Sequence, residues 1–198
     1  MRAVFAGARA VDVEPNWQER WRAYHRPVRV GPLWIGPPWE SPPADAVAVV
    51  VDPGRAFGTG AHATTRLCLE VLLEVPRGSL VDVGCGSGVL AIAASKLGFA
   101  PVIALDVDPQ AVDATQRNAA ANDVELETRL GDAVADALPA ADAIVANVTG
   151  EVVARLRVEA EWLVTSGYLA SDQPTPPGYV AVERRGREGW AADLHRRQ

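Results

Sequence analysis

The stretch Leu80-Val81-Asp82-Val83-Gly84-Cys85-Gly86-Ser87-Gly88-Val89-Leu90 runs an apolar strand into a glycine-rich turn that opens directly into a helix. A second apolar run, Val102-Ile103-Ala104-Leu105, ends in Asp106. Bare N–H groups at a helix N-terminus attract anions and carboxylates, and glycines let a ligand approach the main chain. A carboxylate at the end of the following strand can accept both hydroxyls of a ribose. The pair therefore predicts a pocket for a nucleoside-containing cofactor at the carboxyl edge of a parallel sheet. Asp132, after a strand and Gly131, is a candidate for the adenine edge, with a simple turn acid as the alternative. Asn147 ends the run Ala143–Ala146, and its amide offers both a donor and an acceptor, suited to a ligand carboxylate or an incoming amine.

Glycine spacing separates the cofactor classes. Dinucleotide sites use G-x-G-x-x-G, whose third glycine allows close helix–strand packing. Here Gly84, Gly86 and Gly88 give G-x-G-x-G, preceded by Asp82. This pattern resembles the first motif of the Rossmann-like S-adenosyl-L-methionine (SAM) methyltransferases. It implies that Gly84, Gly86 and Gly88 approach the methionine part of SAM and that Asp106 holds the ribose. The alternatives are a βα turn without a ligand and a NAD site, the latter opposed by the spacing. In glutamine and adenine N-methyltransferases an Asn or Asp at the place of Asn147 precedes Pro-Pro and an aromatic residue. This chain reads Asn147-Val148-Thr149-Gly150, which argues against flat amide or base substrates.

These residues need elements to hold them. Val47–Val51 is a short β-branched run, and Leu67, Val71 and Leu72 predict a helix over Thr64–Glu74 with Thr64 or Thr65 as its cap. Strand Leu80–Val83 leads to a helix over Val89–Leu97 stopped by Gly98. Asp108-Pro109 reads as an N-cap with proline at the first helical position, opening a helix that runs to about Asn122. A strand is expected near Glu125–Leu130, a helix over Gly150–Leu163 and a strand over Tyr168–Ser171. Val180–Arg184 and Trp190–Leu194 flank Gly186–Gly189 as a hairpin. Repeated βα units predict an α/β fold of the Rossmann-like methyltransferase type: a mostly parallel sheet with helices on both faces and a C-terminal antiparallel hairpin.

Residues 1–45 differ in character. They hold Trp17, Trp21, Trp34 and Trp39, four of the six tryptophans, with seven of the 15 prolines. That composition predicts an arm laid against residues 46–198, with a short helix around Asn16–Tyr24 and a strand near Val28–Ile35. The chain of 198 residues can bury one proper core. Its net charge of −6 disfavours direct contact with nucleic acid phosphates and suits a basic partner. Cys68 and Cys85 make neither a disulfide framework nor a metal site, which fits a reduced, cytoplasmic compartment. No apolar stretch is long enough for a membrane span. The oligomeric state is left open.

Asp52-Pro53-Gly54, Ala56-Phe57-Gly58-Thr59-Gly60, His62 and Thr64-Thr65 together resemble the signature of the bacterial ribosomal protein L11 methyltransferases. Pro37-Pro38-Trp39-Glu40 and Leu67-Cys68-Leu69-Glu70 match the same pattern, so the resemblance spans roughly Trp17 to Gly167. The family transfers methyl groups from SAM to lysine ε-amines and an N-terminal amine of a ribosomal protein. The resemblance implies cofactor contacts from Thr65, Gly84, Asp106 and Asn147, with Thr59 in the adjacent loop, and leaves the role of His62 open. It also implies a separate N-terminal substrate-recognition domain, which this chain is expected to lack. The resulting expectation is a SAM-dependent N-methyltransferase acting on a protein amine, with Asn147 at the reacting centre. A small-molecule methyltransferase and a silent SAM-binding module are the alternatives.

Overall fold

The computed structural model describes residues 25–52 and 60–198. Thr59, the rest of segment 53–59 and the helix expected around Asn16–Tyr24 lie outside the described residues.

A small sheet comes first in the chain. β1 (Val28–Val30) and β2 (Leu33–Gly36) form an antiparallel hairpin, and β3 (Val47–Val50) pairs with β2 in parallel. The single strand expected over Val28–Ile35 is therefore two, because Gly31 turns left-handed at φ +54° and the chain reverses through Pro32.

The main sheet has seven strands in the order β6-β5-β4-β7-β8-β10-β9. Five run parallel: β4 (Leu80–Val83), β5 (Val102–Asp106), β6 (Glu127–Leu130), β7 (Ala143–Asn147) and β8 (Trp162–Leu169). β10 (Trp190–Arg197) is antiparallel to both its neighbours, β8 and β9 (Tyr179–Arg187). Glu188 and Gly189, both at positive φ, make the tight hairpin turn between them. The chain winds outward from β4 in one direction through β5 and β6, and in the other through β7 and β8. Order reverses between β4 and β7, and ligands bind outside the carboxyl ends of strands at such a reversal.

Four helices are described: α1 (Ala63–Leu72), α2 (Val89–Lys96), α3 (Pro109–Ala121) and the single turn α4 (Gly150–Val153). Strand side chains alternate faces. Leu80, Ala143 and Val145 therefore join a core with Leu67, Leu69, Ile92 and Ala93 of α1 and α2. Val81, Val83, Ile144 and Ala146 pack on the opposite face with Leu156, Val158 and Leu163. Asp108 caps α3 by accepting the Gln110 N–H at 2.8 Å, and Gly98 at φ +95° follows α2, both as expected.

Two elements differ from expectation. The helix over Gly150–Leu163 stops after Val153, and β8 begins at Trp162, well before the strand expected at Tyr168. Between them Leu156, Val158 and Ala160 are buried while Arg157 and Glu159 are exposed, a period of two rather than 3.6. The Tyr179 hydroxyl holds this extended run, accepting the Ala160 N–H at 3.0 Å and donating to the Ala160 carbonyl at 2.7 Å. The second difference is at α1. His62, not Thr64 or Thr65, is its N-cap, accepting the Thr64 N–H at 3.3 Å. The His62 ring also stacks edge-on against Trp190, 5.0 Å between centroids.

Candidate functional site at the sheet reversal

Gly84 follows β4, Asp106 ends β5 and Asn147 ends β7, so three expected site residues stand on adjacent carboxyl ends. A cavity of about 140 Å3 opens there, walled by Gly84, Asp106, Val107, Asp132, Val134, Val148 and Val152, with Val83, Leu105 and Ala133 beneath. Its floor is apolar and its acids stand at the side, a surface suited to a flat ring with a polar edge.

Asp106 is half-buried. One carboxylate oxygen accepts the Gly86 N–H and the other the Asp108 N–H, each at 3.0 Å. A carboxylate offers about four acceptor positions, so two N–H donors fix its plane and leave positions for a vicinal pair of hydroxyls. The glycine turn is left-handed at Gly84, Gly86 and Gly88, with φ of +71°, +55° and +82°. Its N–H groups are not bare. Gly84 and Cys85 both donate to the Leu105 carbonyl, at 2.8 and 3.1 Å, and Gly86 donates to Asp106. The turn thus contributes close approach and the aim of Asp106 rather than a row of open donors. A Cβ at Gly84 would lie 2.6 Å from Val148 Cγ1, a space that only glycine leaves open beside the cavity.

Asp132 is exposed, lines the same cavity and accepts the Val134 N–H at 2.8 Å. The turn role of this acid is seen, and its place on the cavity border keeps it a candidate for the ligand. Asn147 is half-buried, and its Nδ2 donates to the Thr65 hydroxyl at 3.4 Å across from α1. Thr65 is itself buried, so α1 supplies the side of the site nearest Asn147.

Asp82 is fully buried beneath the turn. One oxygen accepts the Ala91 N–H at 3.0 Å, capping the first turn of α2 from the preceding strand; the other has no partner among the described residues. Burial pushes its carboxyl up to about 7, and the nearby Asp106 charge adds to the rise, against the opposing Ala91 hydrogen bond. Unfolded, this carboxyl ionises near 3.8. The folded chain therefore holds the extra proton between those values, and the stability it contributes is lost as pH rises through about 7. Between pH 5 and pH 8 the wild-type chain should lose about 3 kcal/mol more stability than Asp82→Asn. Urea unfolding of both proteins at the two pH values checks this, and parallel pH profiles would refute it.

Burial also pushes the Cys85 thiol up to about 12 and raises that of Cys68, so neither is a nucleophile at neutral pH. Among the described residues no group of three or more His, Cys, Asp or Glu could hold a metal ion, and no helix is long and apolar enough to cross a membrane.

Sequence reasoning missed the residues that support these contacts. Gly167, at φ +101°, lies against the Val148 backbone; Thr115 and Asn118 of α3 reach the glycine turn, and its C-cap Asn122 reaches β3. A pair of asparagines spaced i, i+4 at the end of an alanine-rich helix was the available signal.

The donor set fits SAM. It offers a carboxylate with open acceptor positions in Asp106, a second acid in Asp132, an apolar floor and, at the adjoining strand end, the Asn147 amide. The family model described as ribosomal protein L11 methyltransferase (PrmA) matches residues 8–171. A relative of that name in Symbiobacterium thermophilum is 42% identical over 203 residues, covering 91% of this chain and 66% of its own. Another, in Pelobacter propionicus, is 40% identical over 209 residues, covering 92% and 67%. The crystal structure of ribosomal protein L11 methylase from Lactobacillus delbrueckii subsp. bulgaricus superposes with a TM-score of 0.77 at 28% identity, over 88% of this chain and 100% of that one. The chain thus spans about two thirds of the length of these two curated relatives.

Proposed function

From the premise that this chain belongs to the ribosomal protein L11 methyltransferase family, we propose that it methylates an amine of a protein, a lysine side chain or an N-terminus, using SAM. The observation that carries the reading is that Gly84, Asp106 and Asp132 line one cavity at the strand reversal, with Asn147 at the adjoining end of β7, next to the cavity residue Val148. Asp106 would take the ribose hydroxyls, Gly84, Gly86 and Gly88 the close approach of the methionine part, and Asp132 the adenine edge. Thr65 and Asn147 would border the methionine carboxylate and the acceptor amine, and Thr59 is assigned to the same cofactor. In this reading residues 46–198 carry the chemistry and residues 1–45 form an arm, joined to them through the β2–β3 ladder.

SAM supplies a methyl group on a cationic sulfur. The chain must then present an unprotonated amine in line with it, and positioning is its main contribution. Free lysine has a pKa near 10.4, so at pH 7 deprotonation costs about 4–5 kcal/mol. The apolar wall from Val148 and Val152 favours the neutral amine. Asn147 can accept from that amine through Oδ1 while Nδ2 stays on Thr65. Glu151, with its side chain 84% exposed and 3.9 Å from Arg155, suits a helix N-terminal charge rather than proton transfer.

The acceptor is assigned to a ribosomal protein, the class for which the relatives are named, and the net charge of −6 suits such a basic substrate. A reaction on that substrate places the protein in the cytoplasm. Incubation with labelled SAM, ribosomal protein L11 and a cell extract tests this directly. Label in the ribosomal protein is expected. Label confined to a small molecule would move the substrate class, and none at all would overturn the enzymatic reading. In the same assay Asn147→Ala should lower the transfer rate by roughly 100-fold while weakening SAM binding far less. Equal losses would make Asn147 a cofactor contact only.

A further inference from the structure

The face of α3 turned toward the glycine turn and the C-cap that follows carry three buried polar side chains where alanine would pack without a polar group to satisfy. Thr115 and Asn118, 0 and 5% exposed, fall on one stripe of the helix, and Asn122, 6% exposed, is its C-cap. The Thr115 hydroxyl lies 3.2 Å from the Gly86 carbonyl and from Cys85 Sγ. Asn118 Nδ2 donates to the Ser87 carbonyl at 2.8 Å, and its Oδ1 accepts the Asp52 N–H at 3.2 Å. Asn122 clasps β3, accepting the Val50 N–H at 2.8 Å and donating to the Val50 carbonyl at 2.6 Å. The turn sits directly on this stripe: a Cβ at Gly88 would lie 2.8 Å from Thr115 Cγ2 and 3.1 Å from its Cα.

Buried amides are costly unless paired, and here each amide is paired at both ends. The carbonyls of Gly86 and Ser87 are drawn toward α3. The same Gly86 whose carbonyl faces Thr115 donates its N–H to Asp106 Oδ2. That N–H lies in the peptide plane just before the two that are held, so fixing them limits how Gly86 can turn its N–H away from the carboxylate assigned to the ribose. We propose that Asn118, with Thr115, is a positioning residue for cofactor binding: it fixes the glycine turn from behind so that Gly86 keeps Asp106 aligned. Asn122, the C-cap one turn further along, anchors β3 and donates to the Asn118 carbonyl at 2.8 Å, holding the strand and the helix end rather than the glycine turn. This inference rests on the SAM-binding reading above.

Asn118→Asp separates the roles. It keeps an oxygen to accept the Asp52 N–H but sets an oxygen, not a donor, against the Ser87 carbonyl. Asn122→Asp makes the same change at the Val50 carbonyl. Both should lower the urea midpoint. Calorimetry with S-adenosylhomocysteine should show about tenfold weaker binding for Asn118→Asp, the loss of one buried hydrogen bond, and under twofold change for Asn122→Asp. Thr115→Val keeps the packing against Gly88, loses only the hydroxyl and should weaken binding at least threefold, which decides the matter if Asn118→Asp does not fold. Equal weakening by Asn118→Asp and Asn122→Asp, or wild-type affinity in Asn118→Asp and Thr115→Val, overturns the proposal alone. Failure of the wild-type chain to bind either SAM or S-adenosylhomocysteine overturns the cofactor reading with it.

Discussion

Asp106→Ala should weaken S-adenosylhomocysteine binding by about 10²–10⁴-fold and leave the chain folded. Hydrogen bonds to a charged group contribute about 1.5–3 kcal/mol each, and a ribose diol makes two. The variant also releases the Gly86 and Asp108 N–H groups. Both lie near a half-exposed strand end, where water can replace the carboxylate, so the stability cost is modest beside the binding loss. Asp108 remains to cap α3 through the Gln110 N–H. Calorimetry measures the affinity and circular dichroism the fold. A folded variant with wild-type affinity would refute the ribose assignment.

The legible parts of this chain were those in which one short segment carries both a local conformation and a chemical group. β4, the glycine turn and α2 were readable because three glycines in five residues demand left-handed backbone, and Asp106 because it closes the next apolar run. Asp108-Pro109 announced α3 through capping chemistry. What escaped depends on partners distant in sequence. The run after Val153 has helix-compatible residues, and Tyr179 holds it extended by hydrogen bonds to Ala160. The His62 cap belongs to a loop where threonines are the usual candidates, and the choice is set by packing against Trp190 on β10. The expectation of bare N–H groups in the glycine turn missed that the Leu105 carbonyl, on the neighbouring strand, already takes two of them.

Gly167 is the most consequential residue whose role no local pattern reveals, and Gly167→Ala should cost both transfer activity and stability. In the β8–β10 ladder Tyr168 pairs with Ala191 and Ser166 with Ala192, so Gly167 is the extra residue of a bulge. The bulge presses β8 onto the residue after Asn147. A Cβ there would lie 2.7 Å from the Val148 carbonyl carbon and 2.9 Å from its nitrogen, and would overlap its oxygen. Those are main-chain atoms held by the Val148 N–H to Ser166 carbonyl bond at 3.0 Å, so they cannot swing aside as a side chain would. Val148 is confined on its other side by Gly84, so any shift carries Asn147 and the cavity wall with it. A displacement of about 1 Å at a reacting centre costs on the order of 100-fold in rate. Strain at φ +101° adds roughly 1–3 kcal/mol of destabilisation. Gly178→Ala is the control, since it shares a positive φ of +80° but meets nothing within 4 Å. It should lose stability from backbone strain alone and keep the wild-type transfer rate. If Gly167→Ala transfers methyl groups as fast as Gly178→Ala, the contact between β8 and Val148 does not position Asn147.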